Sequence, residues 1–277
     1  MDDHSALNQI KLLKQSSIVS SQLDIELLLL HLLDIDRNSL YRDNPRLTGD
    51  IINKLKELTQ RREKGEPLAY LVNNIEFWNL SLYVDQNVLV PRPETEILVQ
   101  KVLEIFDKKK IRVLDLGTGS GAIGLSLAKE RANWEVVCSD LSYEALKVTS
   151  KNMIRNSLDV SLVNSNWSSA FKNEYFDVIV SNPPYINPSD PRVYSDGLKF
   201  EPKQALISDS EGLYDIETIV KETSEILNNA GYLFIEHGYD QSDLVVSIFE
   251  TYGFSQIRTF KDLNGDDRVC SGMLNRC

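Results

Sequence analysis

Cysteine and histidine are both scarce in this 277-residue chain, with three of each. The cysteines are odd in number and far apart, at Cys138, Cys270 and Cys277. This spacing argues against a disulfide framework or a zinc motif and predicts reduced thiols in a cytosol. So few histidines also argue against a histidine-rich metal centre, and no metal site is expected.

Long hydrophobic runs are missing as well. The most apolar stretch, Ile25–Leu33, is too short to cross a bilayer and is interrupted by Glu26 and His31. The first residues, Met1-Asp2-Asp3-His4, are acidic and resemble neither a signal peptide nor a mitochondrial presequence. We therefore expect a cytoplasmic protein that has no membrane partner.

Positive charge is in short supply. The formal net charge is −11 and the sequence pI is about 4.9. A protein that mainly grips a nucleic-acid backbone needs a basic surface, because neutralising phosphates supplies much of its affinity. The two basic clusters, Arg61-Arg62-Glu63-Lys64 and Lys108–Lys110, are short and typical of solvated helix faces or ends. A direct nucleic-acid substrate is therefore not expected.

The chain divides into three zones by its residue pattern. Residues 1–72 are predicted to form a small helical domain, and residues 73–92 a β-hairpin linker. Residues 93–277 form the third zone, which is long enough for a main domain with its own core.

Helix signals are clear in the first zone. Asp24 is the predicted N-cap of Ile25–Leu33, and Thr48 or Asp50 that of the next helix. Gly65-Glu66-Pro67 should end that second helix.

Strands and helices alternate from Ile111 onward, and this alternation predicts an α/β fold with a mostly parallel, seven-stranded sheet. Thr251–Met273 should supply the last two strands, the final one antiparallel. Ligands of such sheets bind at the carboxyl ends of the strands. The preceding elements are predicted at Arg112–Leu116, Ala122–Glu130, Glu135–Ser139, Glu144–Asn156, Val160–Val163, Asp177–Ser181, Leu213–Leu227 and Tyr232–Glu236.

A glycine-rich turn joins the first of these strands to the first helix. Its residues Gly119–Gly124 match G-x-G-x-x-G, which is typical of dinucleotide-binding folds, and Asp140 stands where an acidic residue binds ribose. Asp115, two residues before Gly117, adds a D-x-G-x-G pattern that resembles the S-adenosylmethionine site of class I methyltransferases.

The second motif is Asn182-Pro183-Pro184-Tyr185, which directly follows the apolar strand Phe176–Ser181. The asparagine offers a carbonyl oxygen as acceptor, and the prolines remove N–H groups that would compete for nearby carbonyls. A flat group that carries an NH2, either a side-chain amide or the exocyclic amine of a base, fits these acceptors with the tyrosine ring packed on it. The pattern thus predicts methyl transfer to a planar nitrogen.

Over nearly its full length the chain resembles the release-factor glutamine N5-methyltransferases of the PrmC/HemK type. Two departures from that family are Asn73, where a glycine is usual, and Asn166, where an aspartate often stands. The supporting runs are Arg61–Tyr70, Glu76-Phe77-Trp78, Pro91–Glu96, Asp115–Gly124, Ser181–Tyr185, Phe200-Glu201-Pro202 and Glu236-His237-Gly238.

The resemblance implies an enzyme that methylates the glutamine amide in the Gly-Gly-Gln loop of class I peptide chain release factors. S-adenosylmethionine would be the cofactor and S-adenosylhomocysteine the product. The helical domain would dock the release factor, and a monomer is expected.

The resemblance also implies a role for each site residue. Asn182, Pro183 and Tyr185 would be catalytic, and Pro184, Phe77 and Arg92 would join them in binding substrate, although Phe77 suits an interdomain core equally well. Glu201, Glu236 and His237 are expected to give structural support. The cofactor residues would be Gly117, Thr118, Gly119, Ser120 and Gly121 at the methionine part, Asp140 at the ribose, Trp167 at the adenine, and Asn182.

Three alternatives stay open. A nucleic-acid amino-methyltransferase of the N6-adenine or N2-guanine type would hold its base with a similar tetrapeptide, but it needs a basic surface and a means to extract the base. A non-catalytic regulator that binds S-adenosylmethionine would have no need of the acceptor motif. A dehydrogenase would leave Asn-Pro-Pro-Tyr without a role.

Overall fold

The computed structural model describes residues 4–16, 21–106, 110–172, 175–195 and 197–276. Within these ranges no helix is both long and apolar enough to span a bilayer. The chain forms two compact units, Met1–Asn73 with Ser195–Phe200, and Asn74–Tyr194 with Glu201–Cys277.

The smaller unit is helical, as the sequence pattern predicts. Each of its helices contributes to one apolar core, which includes Ile10, Leu28, Leu40, Leu55 and Leu71. The helices are α1 (Ala6–Ser16), α2 (Gln22–Leu33), α3 (Arg37–Asp43), α4 (Gly49–Glu63) and α5 (Leu68–Val72).

The N-cap prediction for α2 is wrong by three positions. Ser21 caps this helix, because its hydroxyl accepts from the Asp24 N–H at 3.0 Å. Asp24 instead returns a bond to the Ser21 N–H at 3.2 Å, which completes a capping box. For α4, the structure selects Thr48 over Asp50 as the cap.

The larger unit contains the sheet. A hairpin of β1 (Ile75–Phe77) and β2 (Leu80–Leu82) comes first, and a short 3-10 turn, Pro93–Thr95, precedes α6. The remaining elements are α6 (Glu96–Ile105), β3 (Arg112–Leu116), α7 (Ala122–Glu130), β4 (Glu135–Asp140), α8 (Tyr143–Arg155), β5 (Ser161–Asn164), β6 (Phe176–Ser181), the single turn α9 (Asp209–Gly212), α10 (Tyr214–Ile226), β7 (Leu227–Glu236), α11 (Ser242–Thr251), β8 (Phe254–Lys261) and β9 (Asp267–Leu274).

The predicted seven-stranded, mostly parallel sheet is confirmed. Its strand order is β5-β4-β3-β6-β7-β9-β8. The first five strands in this order run parallel to one another. The last strand, β9, runs antiparallel to β7 and to β8, between which it lies. Strand order reverses at β3, so the carboxyl ends of β3 and β6 are the expected ligand site.

Alternating side chains on the strands build a core on each face of the sheet. Val113 and Val178 belong to the core that also holds the apolar sides of α6, α7 and the β1–β2 hairpin. Leu114 and Ile179, one residue further along, belong to the core of the opposite face with α10 and α11. Successive side chains of a strand point to opposite faces of the sheet, and this alternation fixes the direction of the site residues at the strand ends.

Candidate active site

Strand register brings three sequence motifs together at one edge of the sheet. Leu116 on β3 is paired with Ser139 on β4 and with Ser181 on β6. The next residues along the chain, Gly117, Asp140 and Asn182, therefore lie side by side. Hydrogen bonds lock this alignment, since Ser181 Oγ donates to the Leu116 carbonyl at 2.8 Å.

The turn after β3 needs its glycines. Gly117, Gly119 and Gly121 have φ values of +70°, +57° and +85°, in the region that glycine enters at little cost. The turn is held against β4, because the Thr118 N–H donates to the Ser139 carbonyl at 2.9 Å. The N-terminus of α7 follows directly, at the same sheet edge.

Asp115 lies under this turn and stabilises it from within. Its carboxylate is fully buried, and Oδ2 accepts from Thr118 Oγ1 at 2.6 Å and from the Gly124 N–H at 2.9 Å. Burial raises the pKa of Asp115 to about 6. A Cβ on Gly124 would lie 2.4 Å from Cys138 Sγ, so the last glycine of the motif serves helix–strand packing.

Two residues of α8 hold the carbonyls of the same turn, and sequence reasoning missed both. Thr149 Oγ1 donates to the Gly119 carbonyl at 2.8 Å, and Asn152 Nδ2 donates to the Ser120 carbonyl at 2.8 Å. Asn152 also pairs with both backbone groups of Tyr83, at 2.6 and 2.9 Å. The available signal was two polar residues three positions apart on the buried face of a helix.

Asp140 is the last residue of β4 and lies at the same edge. Its Oδ2 accepts from the Gly119 N–H at 2.9 Å and its Oδ1 from the Ser142 N–H at 2.8 Å. Burial raises the pKa of Asp140. A carboxylate has about four acceptor positions, so two remain for hydroxyl groups of a ligand.

Asn182 follows β6 with one end of its carboxamide fixed. Nδ2 donates to Thr95 Oγ1 at 3.2 Å. Within the described residues, no donor bonds to Asn182 Oδ1 or to the Pro183 carbonyl. Both oxygens are thus without a protein donor, and Asn182 lies next to the glycine turn.

A cavity of about 340 Å³ opens at this edge, within the usual size range of ligand pockets. Asn182 and the glycine turn line the same space, which is the juxtaposition that methyl transfer requires. Of the residues predicted from sequence, eight line it: Gly117, Thr118, Gly119, Ser120, Asp140, Trp167, Asn182 and Pro184.

Comparisons with known proteins agree with this geometry. A family model for the PrmC N-terminal domain matches residues 6–72, and one for the methyltransferase small domain matches residues 93–195. A release factor glutamine methyltransferase from Buchnera aphidicola subsp. Schizaphis graminum is 42% identical over 261 residues, which cover 94% of each chain. Another, from Salmonella typhimurium, is 39% identical over 97% of this chain and 96% of its own.

The chain belongs to the release factor glutamine methyltransferase family. Its fold also resembles that of a methyltransferase from Pyrococcus furiosus, with a TM-score of 0.55 and 19% identity over 72% of this chain and 91% of that one. The class I methyltransferase fold expected from the motifs is therefore confirmed.

Not every residue implied by the family resemblance lies at the cavity. Gly121, Pro183 and Tyr185 belong to the two motifs but are absent from its lining. Tyr185 instead packs its ring on the core beside α10 and donates its hydroxyl to Glu236 Oε1 at 3.0 Å. Burial and the Glu236 carboxylate raise the pKa of Tyr185, so the phenol stays protonated as a donor.

Phe77 and Arg92 do not line the cavity, and a role for either in binding substrate stays a prediction. Phe77 is 2% exposed and is part of the core beneath the β1–β2 hairpin, because its strand buries alternate apolar residues. Arg92 is bonded to Glu201 Oε1 at 2.5 Å. Glu201 Oε2 also accepts from the Val90 N–H at 3.0 Å, so this carboxylate fixes the backbone segment that carries Pro91 into the cavity wall.

Part of the cavity wall comes from two segments outside the glycine-rich turn and the Asn-Pro-Pro-Tyr motif. Residues 87–89 form one side, and Pro202, Gln204, Ala205 and Ile207 form another. Residues 87–89 are irregular, and the other segment contains the short 3-10 turn Lys203–Ala205, so periodicity identifies neither in the sequence. Of these residues, only Pro202 stands in a run that carries the family resemblance. Trp167 was predicted, and its indole lies over the turn, since a Cβ on Gly117 would stand 3.2 Å from its Cζ3.

Proposed function

We propose that this protein methylates the side-chain amide nitrogen, N5, of the glutamine in the Gly-Gly-Gln motif of peptide chain release factors. S-adenosylmethionine is the methyl donor in this proposal, and S-adenosylhomocysteine is the second product. The observation that carries it is that the open oxygen of Asn182 and the glycine turn line one cavity. The printed names of the relatives support the choice of release factors.

The residues at the cavity suit S-adenosylmethionine. Gly117–Ser120 offer a close backbone approach for its amino-acid part, and a Cβ on Gly119 would meet no protein atom within 4 Å. Asp140 keeps acceptor capacity for ribose hydroxyls, while Trp167 and Asn166 line the region left for the base. Bound there, the cofactor supplies a methyl group on a sulfonium and leaves as S-adenosylhomocysteine.

The chain's own contribution is to make an amide nitrogen a better nucleophile. The lone pair of that nitrogen is normally delocalised into its carbonyl. Asn182 Oδ1 and the Pro183 carbonyl accept its two N–H groups, which orients the nitrogen and draws electron density onto it. Once the nitrogen is methylated it becomes cationic and acidic, and it loses its proton without a strong base. Most of the acceleration comes from this placement.

The N-terminal helical unit is assigned to docking of the release factor. The match of residues 6–72 to the PrmC N-terminal domain supports this assignment. Tyr185 is assigned to support of the substrate amide from the side of the core. We place the reaction in the cytoplasm, where release factors act, and with a monomeric enzyme.

Mass spectrometry of a purified class I release factor, incubated with this protein and S-adenosylmethionine, tests the proposal. We expect one added methyl on the Gly-Gly-Gln glutamine, and none when that glutamine is replaced by glutamate. A parallel reaction with labelled S-adenosylmethionine and total nucleic acid is the matched control. Label in nucleic acid and none in the release factor would overturn the proposal in favour of a base-amine methyltransferase.

A further inference from the structure

Gln241 stands directly before α11 and joins three separate segments beside the Asn-Pro-Pro-Tyr motif. The residue is buried, with 7% of its surface exposed. Its Nε2 donates to the Tyr185 carbonyl at 3.1 Å and to the Glu211 carbonyl at 3.2 Å. Its Oε1 accepts from the Gly238 N–H at 2.8 Å. An amide NH2 has two hydrogens, so both are used within the protein.

These three partners fix the orientation of the Gln241 side chain. A backbone N–H only donates and a backbone carbonyl only accepts, so the side-chain oxygen faces Gly238 and the NH2 faces the two carbonyls. Neither an ionised glutamate nor an apolar residue of the same length can satisfy all three partners. The position therefore requires the chemistry of a glutamine in addition to its volume.

One of the two carbonyls belongs to α9, which is a strained turn. Ser210, Glu211 and Gly212 have φ values of +53°, +59° and +86°, all in the left-handed region. Residues other than glycine keep this conformation only where surrounding contacts enforce it. The hydrogen bond from Gln241 to the Glu211 carbonyl is such a contact.

Gly212 brings the same turn against the Asn-Pro-Pro-Tyr motif. A Cβ on this residue would lie 2.1 Å from the Tyr185 carbonyl oxygen and 2.8 Å from Gln241 Nε2. Only glycine permits so close an approach. The Tyr185 carbonyl is thus held by the hydrogen bond from Gln241 and packed against a residue that has no side chain.

The position of α9 matters for the cavity, because the turn lies between two residues of the cavity wall, Ile207 and Asp215. Ser208 Oγ accepts from the Asp215 N–H at 3.0 Å, so the two ends of the turn are also tied together. The distance from this wall to Asn182 therefore depends on the contact between Tyr185 and α9.

We propose that Gln241 is a positioning residue for methyl transfer, which holds Tyr185 against α9 and so sets the spacing between Asn182 and the wall segments on either side of α9. This inference rests on the proposed function, since it takes Asn182 to hold the acceptor amide. The cofactor side of the cavity has separate supports, because Thr149 and Asn152 hold the glycine turn.

The test is single-turnover methylation of a release factor with both substrates saturating, measured together with the dissociation constant for S-adenosylmethionine. Gln241→Met keeps nearly the size of the side chain but has no N–H to donate. Its rate should fall by about tenfold or more, while cofactor affinity stays within about threefold of wild type. Gln241→Glu keeps the acceptor for Gly238 but turns a carboxylate oxygen toward two carbonyls, so it should be at least as slow. A residue that only fills space would change stability and leave the rate of the folded protein unchanged.

Gly212→Ala tests the same contact from the other side, because its Cβ would push α9 away from the Tyr185 carbonyl. We expect it to be slowed in the same way as Gln241→Met. Gly253→Ala is the matched control, since Gly253 has a φ of +83° and its Cβ would meet no atom within 4 Å. This variant carries a similar backbone cost without the clash and should methylate at the wild-type rate.

The outcomes are distinguishable. A wild-type rate in folded Gln241→Met would overturn the inference, and so would a Gly253→Ala protein as slow as Gly212→Ala. A loss of cofactor affinity as large as the loss of rate would also overturn it, since the whole site would then be damaged. If Gln241→Met does not fold, Gly212→Ala measured against Gly253→Ala decides in the same way. Absence of methylation by the wild-type protein would instead defeat the proposed function on which the inference depends.

Discussion

Replacing Gly124 by alanine perturbs the point where α7 packs on the sheet beneath the site. A Cβ there would lie 2.4 Å from Cys138 Sγ and 2.9 Å from Asp115 Oδ2. Both atoms belong to fully buried residues, so neither can move aside into solvent. The contact with Asp115 also falls on the oxygen that accepts from the Gly124 N–H.

Two effects of opposite sign set the magnitude. Overpacking of a dense core costs about 1–3 kcal/mol, and an overlap this close belongs at the upper end. Alanine in place of glycine inside a helix raises the free energy of unfolding by about 1 kcal/mol. We therefore expect the free energy of unfolding of the larger unit to fall by about 2 kcal/mol.

Tryptophan fluorescence in urea is the appropriate assay, because Trp78, Trp134 and Trp167 all lie in the larger unit. With an m-value of about 2 kcal/mol/M, the transition midpoint should move down by about 1 M. Cofactor affinity should fall as well, since Asp115 holds the glycine turn through Thr118.

Two controls separate the clash from a general effect of alanine. In Gly124→Ala with Cys138→Ala, part of the space is restored, and a double-mutant cycle should give a favourable coupling of about 1 kcal/mol. Gly49→Ala introduces a Cβ that meets no atom within 4 Å and should not lower the stability of the smaller unit by circular dichroism. A Gly124→Ala protein as stable as wild type would refute the packing argument.

Three further predictions concern the same edge of the sheet. Asn152→Ala leaves the backbone of Tyr83 and the Ser120 carbonyl without their buried partner. Urea unfolding should therefore show a free energy of unfolding lower by roughly 3 kcal/mol, and a decrease of under about 1 kcal/mol would contradict this. Because the folded-state pKa of Asp115 is raised from 3.8 to about 6, folded protein keeps a proton that unfolded chain releases between those values, and stability falls as pH rises through that window. Relative to Asp115→Asn, wild type should therefore lose about 2 kcal/mol between pH 4 and 6 and about 3 kcal/mol over the whole titration, which is complete by about pH 7, as measured by urea unfolding at each pH; a flat difference would be inconsistent with a raised pKa. Asp140→Asn keeps one oxygen acceptor but loses the charge, so the dissociation constant for S-adenosylmethionine should rise about tenfold in Trp167 fluorescence, with little change in turnover at saturation.

The elements of the larger unit could be predicted closely because their signals are local. Ala122–Glu130 has the same bounds in sequence and structure, and β3 likewise begins at Arg112. The place of β9 between β7 and β8 could not be foreseen, since it depends on pairing between distant strands. The start of β7 was also missed, because Leu227–Gly231 is rich in asparagine and glycine and Ala230 has a φ of +62°.

The departure at Asn73 has a structural explanation. Asn73 ends α5 with a φ of +49°, in the left-handed region. Glycine is favoured there, and asparagine is one of the few other residues that tolerate it. The family's usual glycine and the asparagine of this chain therefore meet the same backbone requirement.

Site residues were predictable where a motif follows a strand, and less so where a side chain acts through tertiary contacts. Gly117 and Asn182 directly follow strands and Asp140 ends one, so the parallel sheet brings them together. Sequence alone could not decide the role of Phe77, because an aromatic residue in a family motif suits a core as well as a substrate site, and the structure buries it in the core. Thr95 stands in a run that carries the family resemblance, but its pairing with Asn182 could not be foreseen, since the two residues lie 87 positions apart.

The most direct test of the account is the single-turnover rate of glutamine methylation by Asn182→Ala, measured together with the dissociation constant for S-adenosylmethionine. Asn182→Asp serves as the matched variant, because it keeps the size of the side chain and removes its neutral amide. We predict that Asn182→Ala is slower by about a thousandfold while cofactor affinity changes by less than about threefold. A rate within about tenfold of wild type would contradict the claim that this oxygen holds the acceptor nitrogen.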